Sequence, residues 1–490
     1  MSTSGNTKSS NRVGTRYAEE VSLGVVDGSA VWTPVEVNSF ADFGASVTTL
    51  ARAPISASRQ EKKGVVVDVE AGGGFNMDLT QKNMFDFLQG FLFANWTLKA
   101  NSVTTAVTAT GFSVADETDW AANDLILSED HTLSVNNGLF LVTGTAAGEV
   151  QVTGTSVDAS AGSIKTVGVQ GAAGDIDVDA TTDPLRPRLT TTVLDWTAHG
   201  LEVGEWIFIG GDTASLQFAN AENNGFARIF SIAATELVFD KTSATMVTEA
   251  STTETVQIFT GDFIHNEDDP ADIVSHCYQF ERTLTDSPSL QLEYLKGAVP
   301  NVLTLSMNTA EKVTLDLGFV AQDVDLDETS LKAGTRPSLE EADAFNTSSD
   351  FSRLTLEGTD ITGSSTYFED YSIEINNNVV PAKALSVLGN FDLVEGNFVV
   401  TGNFTAYFTT TELVQAVRNN SDVQLDFAFV KNNAGLLFDI PLASLGEGRI
   451  TVEKDSPIKV PLAQNAARDP ILTYTLGAMN FDYLPDLADV

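Results

Sequence analysis

Residues 73–88, GGFNMDLTQKNMFDFL, align without a gap on residues 402–417, GNFTAYFTTTELVQAV, and residues 278–317 align without a gap on 423–462. The two offsets, 329 and 145, equate Gly73 with Gly402, Phe75 with Phe404 and Tyr278 with Val423. A chain that carries one unit twice is expected to fold it twice. The difference between the offsets places 184 extra residues inside the first copy, between its helix and its hairpins.

Each copy reads as strand, helix, hairpin, hairpin. Phe75, Met77 and Leu79 alternate with Asn76 and Asp78, the period of a half-buried strand. The period then changes: Thr80 is placed to cap a helix with Met84, Phe87, Leu88 and Phe91 on one face. In the second copy Phe404, Ala406 and Phe408 precede Thr409 to Glu412, which reads as a capping box, and then Leu413 and Val417. Hairpin turns are expected at 286–288 and 308–311, and in the second copy at Asn432-Asn433. Leu305, Met307 and Val313 correspond to Ile450, Val452 and Ile458. A one-residue slip would turn a strand inside out, so agreement of both faces predicts a shared fold.

The insertion, about residues 95–276, repeats internally. Residues 136–152, NNGLFLVTGTAAGEVQV, align on 223–239, NNGFARIFSIAATELVF, at an offset of 87. Two small β modules are predicted at about 99–156 and 189–256, with 157–188, rich in Ala, Gly, Thr and Asp, as a linker between them. Residues 100–256 hold 21 acidic and 5 basic side chains, an acidic solvated surface.

At 490 residues the chain exceeds one core, and a hydrophobic share of 42% suffices for globular folding. With 27 basic against 67 acidic residues the net charge of -40 opposes docking on a polyanion and argues against a DNA-reading role. The one cysteine, Cys277, excludes an internal disulfide framework. MSTSGNTKSSNR lacks the apolar segment of a secretory signal, and no stretch reaches the ~18 apolar residues of a membrane helix, so a soluble, non-membrane protein is expected.

Motifs for chemistry are absent: there is no GxxxxGK[ST], GxGxxG, GxSxG, HExxH or CxxC. His276 and Cys277 are neighbours, which on a strand point to opposite faces and form no dyad. His131, His199 and His265 have no recurring carboxylate at metal-ligand spacing. Asp175, Asp177 and Asp179 start like a calcium loop, but Ala180 and Arg186 stand where the turn glycine and bidentate glutamate belong. Asp323, Asp325 and Asp327 fail the same test; both sets read as solvated carboxylates, with an oxygen-only calcium site as the alternative. No catalytic residue, metal or cofactor is expected.

In chain order, EVNSFADFGASVTTLARAPISASRQEKKG, GGFNMDLTQKNMFDFLQGFL, CYQFERTLTDSPSLQLEYLKG and SMNTAEKVTLDLGFVAQD resemble the major tail tube proteins of long-tailed, non-contractile bacteriophages. The resemblance spans about 35–98 and 277–330, with the second copy at about 365–465, and leaves the insertion uncovered. It implies a mainly β fold: two tandem tail-tube β-sandwich units, each with one flanking helix, and an inserted pair of small β modules. The organisation expected is an N-terminal arm at 1–34, a discontinuous first unit at 35–98 and 277–335, the insertion at 99–276, and a second unit with a C-terminal extension at 336–490. The implied function is structural. Homotrimeric, pseudo-hexameric rings stack into a virion tail tube, assembled in the host cytoplasm, through which DNA passes without specific binding. Implied partners are further copies of the chain and the tape measure, tail terminator and tail tip proteins.

Physical chemistry agrees at two points. Tandem units can repeat one head-to-tail contact within and between chains, and such contacts close into rings. An acidic wall repels phosphate and does not hold DNA in transit. Tube-wall candidates are the acidic residues that alternate with apolar ones: Asp78, Glu281, Glu293, Asp316, Asp426 and Asp439. Residues 1–63 are by contrast nearly neutral, with 7 basic and 6 acidic residues. Because in tail tubes a long loop between early strands reaches the neighbouring ring, Arg52, Arg59, Lys62 and Lys63, with Lys383 in the second copy, are inter-ring candidates. A β-sandwich adhesin or carbohydrate-binding surface protein is the alternative; it calls for a secretion signal that MSTSGNTKSSNR does not provide.

Overall fold

The computed structural model describes residues 13–55, 60–285, 290–326, 330–339, 342–358, 361 and 367–488. Among these the protein is mainly β, with two α-helices, Phe85–Leu92 and Glu412–Asn419.

In the first half, strands pair antiparallel in the order Ser39–Arg52, Lys62–Asp78, Thr314–Ala321, Gln291–Asn308, Tyr278–Thr285, Gly14–Glu19. In the second half the order is Phe368–Asn376, Val399–Tyr407, Lys459–Ala466, Ala434–Glu447, Val423–Lys431, Phe351–Gly358. The two orders are the same, element for element. The segment expected as an N-terminal arm thus contributes Gly14–Glu19 to the sheet, as Phe351–Gly358 does in the second half. Gln291–Asn308 and Ala434–Glu447 are long because each serves two layers, pairing first with a back strand and then with a front one. In the first half a register shift between Pro300 and Val302 marks the crossing, the usual way a strand bends between packed layers. The halves join edge to edge, Gln291–Asn308 against Phe368–Asn376, so the front layer is continuous across both.

Alternation decides which face is buried. Phe75, Leu317, Leu303, Ile375 and Val400 lie on one row across five strands, all within the core. Phe87, Leu88, Phe91 and Leu92 of the first helix join that core, and Phe87 packs on Tyr17, Phe75 and Phe280. Neither helix is capped as its sequence suggests. Thr80 and Asn83 bond reciprocally in the turn before the first helix, whose N-cap is Met84; Glu412 begins the second, after Thr411, with no side-chain cap. The Asn432-Asn433 turn forms as expected, both residues at positive φ (53° and 60°), the conformation a two-residue hairpin needs. The turn expected at 286–288 lies outside the described residues.

The insertion's strands join in one hydrogen-bonded path, but its buried apolar residues form two clusters, one around Phe112, Ile126 and Val142 and one around Trp196, Ile207 and Phe239; the segment expected as a linker is itself partly strand. Gly162–Gln170, within that segment, pairs with Asp124–Glu129, Asn101–Thr104 and Gln257–Phe259 at the centre of the path. The apolar Ile164, Val167 and Val169 are buried there, and sparse charge and many small residues had masked that strand. The Asn-Asn-Gly repeat folds the same way twice: Asn137 clamps the main chain of His131 and Asn224 that of Phe218.

Candidate assembly surface

Opposite the apolar rows, the front layer presents a polar face. One row runs Ser39, Asn76, Asp316, Thr304, Glu374, Thr401, Asn465, Ser444, each residue opposite the next on the adjacent strand. It crosses eight strands and both halves with hydroxyls, amides and carboxylates only. The row two residues along, Asp78, Thr314, Ser306, Ser372, Asn403, is again polar. Apolar rows point inward and mainly polar or acidic residues point outward; the lysines at the margin of this face, Lys312 and Lys459, are each held by a carboxylate, Asp78 and Glu369, so the rows themselves present carboxylates and neutral groups to a phosphate.

The acidic candidates divide between two environments. Asp316 lies exposed on the polar face and accepts from Asn76 Nδ2 at 2.9 Å. Asp78 is at its margin, bonded to Asn38 and to Lys312 Nζ (2.7 Å). The other four lie in the back layer and face no open surface of the chain. Glu281 is 2% exposed and holds Arg336 at 2.6 Å and the Tyr294 hydroxyl at 2.8 Å. Glu293 pairs with Arg282. Asp426 pairs with Arg353, and Asp439 with Arg228 at 2.8 Å and the Tyr474 hydroxyl at 2.9 Å. Burial outweighs the Arg353 charge and pushes the Asp426 carboxyl up to about 6. These carboxylates are solvent-shielded because a second layer covers the back strands: segment 330–339 over Glu281, and the insertion over Asp426 and Asp439. The alignment held a sign of this, since Glu281 and Asp426 occupy equivalent places among apolar neighbours, where a charge persists only with a partner.

Arg228 is the insertion's main anchor. It reaches Asp240 within the insertion and Asp439 and Gln424 in the second half, while Phe208, Phe226 and Phe263 pack with Met479 and Phe481. Asp262–His265 adds a strand pair with Gly477–Phe481. The insertion, entering from the first half, is therefore bolted to the second. It lies on the back layer, away from the polar face.

The hairpin of Ser39–Arg52 and Lys62–Asp78 stands out from the body, with Val47 (56%), Leu50 (64%) and Val66 (51%) exposed. Arg52 faces Lys62 across its tip, and Lys63 is exposed beside them; Arg59 lies outside the described residues. Lys383, near the smaller hairpin of Val380–Ala382 and Asp392–Val394, is bound within the chain to Asp68 and Glu70 of the long hairpin.

Most of the remaining sequence candidates have structural partners; His131 instead packs its ring on Phe112, with neither ring nitrogen hydrogen-bonded. His276 bonds Glu19, while burial pushes the Cys277 thiol up to about 12, far from a reactive thiolate. His199 bonds Asp124, and Asp175 accepts from Thr192 and Val193 main-chain N–H groups. Asp325 pairs with Lys296 and Lys332; Asp327 lies outside the described residues. Among the described residues no group of three His, Cys, Asp or Glu is placed to hold a metal, and no helix is long and apolar enough to cross a membrane.

Compared with known proteins, residues 10–468 match a family model described as phage tail tube protein. No curated protein matches the chain.

Proposed function

This chain belongs to the phage tail tube protein family, and from that premise we propose that three copies close into a ring of six tube units, that rings stack into the tail tube, and that DNA passes along the bore. The family places the role as structural, in the virion tail. The observation that carries the finer reading is the continuous polar row over both halves, from Ser39 to Ser444. It supports a bore lined by this face, with Asp316 and Glu374 as its carboxylates and Asp78 at its rim. The identical pairing order of the two halves supports two tube units per chain, and hence three chains for six positions.

The exposed apolar hairpin with Arg52, Lys62 and Lys63 at its tip supports contact with the adjacent ring; the tape measure, terminator and tip proteins are the further partners of the assembly. The insertion, on the back layer, decorates the outside. Negative-stain microscopy of concentrated protein tests the reading. Rings or tubes with a nearly sixfold wall and threefold outer decoration are expected; monomers at every concentration would overturn it.

A further inference from the structure

The two halves share a seam that the second half leaves open at its far end. Within the chain, Gln291–Asn308 pairs with Phe368–Asn376 from Val302 opposite Asn376 to Asn308 opposite Asp370. The offset of 145 carries Val302–Asn308 onto 447–453. There Thr451 bridges Lys459, the counterpart of Ser306 opposite Thr314, so the inner edge already holds the same register. Among the described residues no strand lies on the outer edge. Burial records the missing neighbour: Leu305, Met307 and Val313 are 1%, 4% and 0% exposed, whereas Ile450, Val452 and Ile458 are 39%, 71% and 40% exposed.

The complementary edge is at the other end of the molecule. Phe40 opposes Phe75 and Tyr371 opposes Phe404, so Phe40 stands where Tyr371 does. Tyr371 is 4% exposed under the seam, and Phe40 is 36% exposed. Among the described residues Ser39–Arg52 has one partner strand, Lys62–Asp78, and its other edge is open.

The geometry points to residues 451–453 pairing with Ser39–Ala41 of a second copy in the register of the internal seam: Thr451 opposite Ala41, Val452 opposite Phe40, Glu453 opposite Ser39. This rests on the ring reading above and fixes its between-chain contact. The occupant is a second copy because the chain already seats its own equivalent strand on the equivalent edge, and a head-to-tail contact repeated with rotation closes. The seam would continue the polar face from chain to chain and cover two open edges that invite pairing.

Full-length protein carrying Ala41→Cys and Thr451→Cys, with Cys277→Ser, tests it under mild oxidation. Two- and three-chain species are expected on a non-reducing gel. A displaced pair, Val47→Cys with Thr451→Cys, is expected to stay single, and Ser306→Cys with Ser372→Cys is expected to close within one chain. Val452→Asp alters only an exposed side chain of the single protein, so its thermal midpoint should hold while the concentration needed for rings rises about tenfold or more. Wild-type rings with no 41–451 crosslink, a crosslink from the displaced pair, or unchanged assembly of Val452→Asp overturns the seam and leaves the ring reading standing. Failure of the wild-type protein to form rings overturns both.

Discussion

Asp426 is the clearest case of a residue whose setting costs stability. Its carboxyl sits inside the back layer beside Asp439, and Arg353 compensates only in part for lost hydration. Because the folded-state value, about 6, lies above the 3.8 of an ordinary aspartate, the native protein binds this proton more tightly than the unfolded chain does. The resulting penalty is full above pH 6, roughly 3 kcal/mol, and fades as the pH falls toward 4. Asp426→Asn removes the titration. Relative to wild type, the variant should therefore gain stability as pH rises from 5 to 8, read as denaturant midpoints across that range. A difference independent of pH would show that Asp426 is ionised without cost.

At the scale of elements, the long hairpin is the part least explained by the chain's own packing. Val47, Val65, Val66, Val67 and Leu50 are exposed, and Arg52 and Lys62 bring like charges together at the tip, which a lone protein gains nothing from. Reversing Arg52, Arg59, Lys62 and Lys63 to glutamate should leave rings intact and shorten tubes, most strongly at low salt, since exposed pairs are worth ~1 kcal/mol or less and are screened. Equal tube lengths across a salt series would remove these side chains from the contact. Lys383, expected to act as a weaker equivalent, instead ties the small hairpin to the large one through Asp68 and Glu70. Composition could not separate these cases, because an ion pair inside the chain and one between rings use the same residue types.

Over the whole molecule, charge is sorted by layer. The four interior carboxylates have arginine partners, Arg282 from the facing strand of the same hairpin and Arg336, Arg353 and Arg228 from elements farther away in the sequence, while among the described residues Asp316 and Glu374 on the polar face form no ion pair with arginine. If that face lines the bore, Asp316→Lys with Glu374→Lys should let assembled tubes retain a short DNA duplex at low salt, measured by fluorescence anisotropy, where wild-type tubes do not. No retention by the variant would place the face outside the bore.

Within the duplicated strands the sequence by itself determined which residues share a face, because a period of two and ungapped offsets of 329 and 145 allow one consistent alternation; it did not show Gly14–Glu19 or Gly162–Gln170, which become strands only through their partners. It showed the Asn432-Asn433 turn for the same local reason. Only the tertiary structure decided what covers each face. Leu305 and Ile450 are equivalent in sequence, yet one is buried beneath the second half and the other waits at an open edge. Glu281 and Asp426 alternate as surface carboxylates would, but a second layer of chain encloses them. Alternation is a property of neighbouring residues, whereas burial depends on elements that meet from tens to hundreds of residues away.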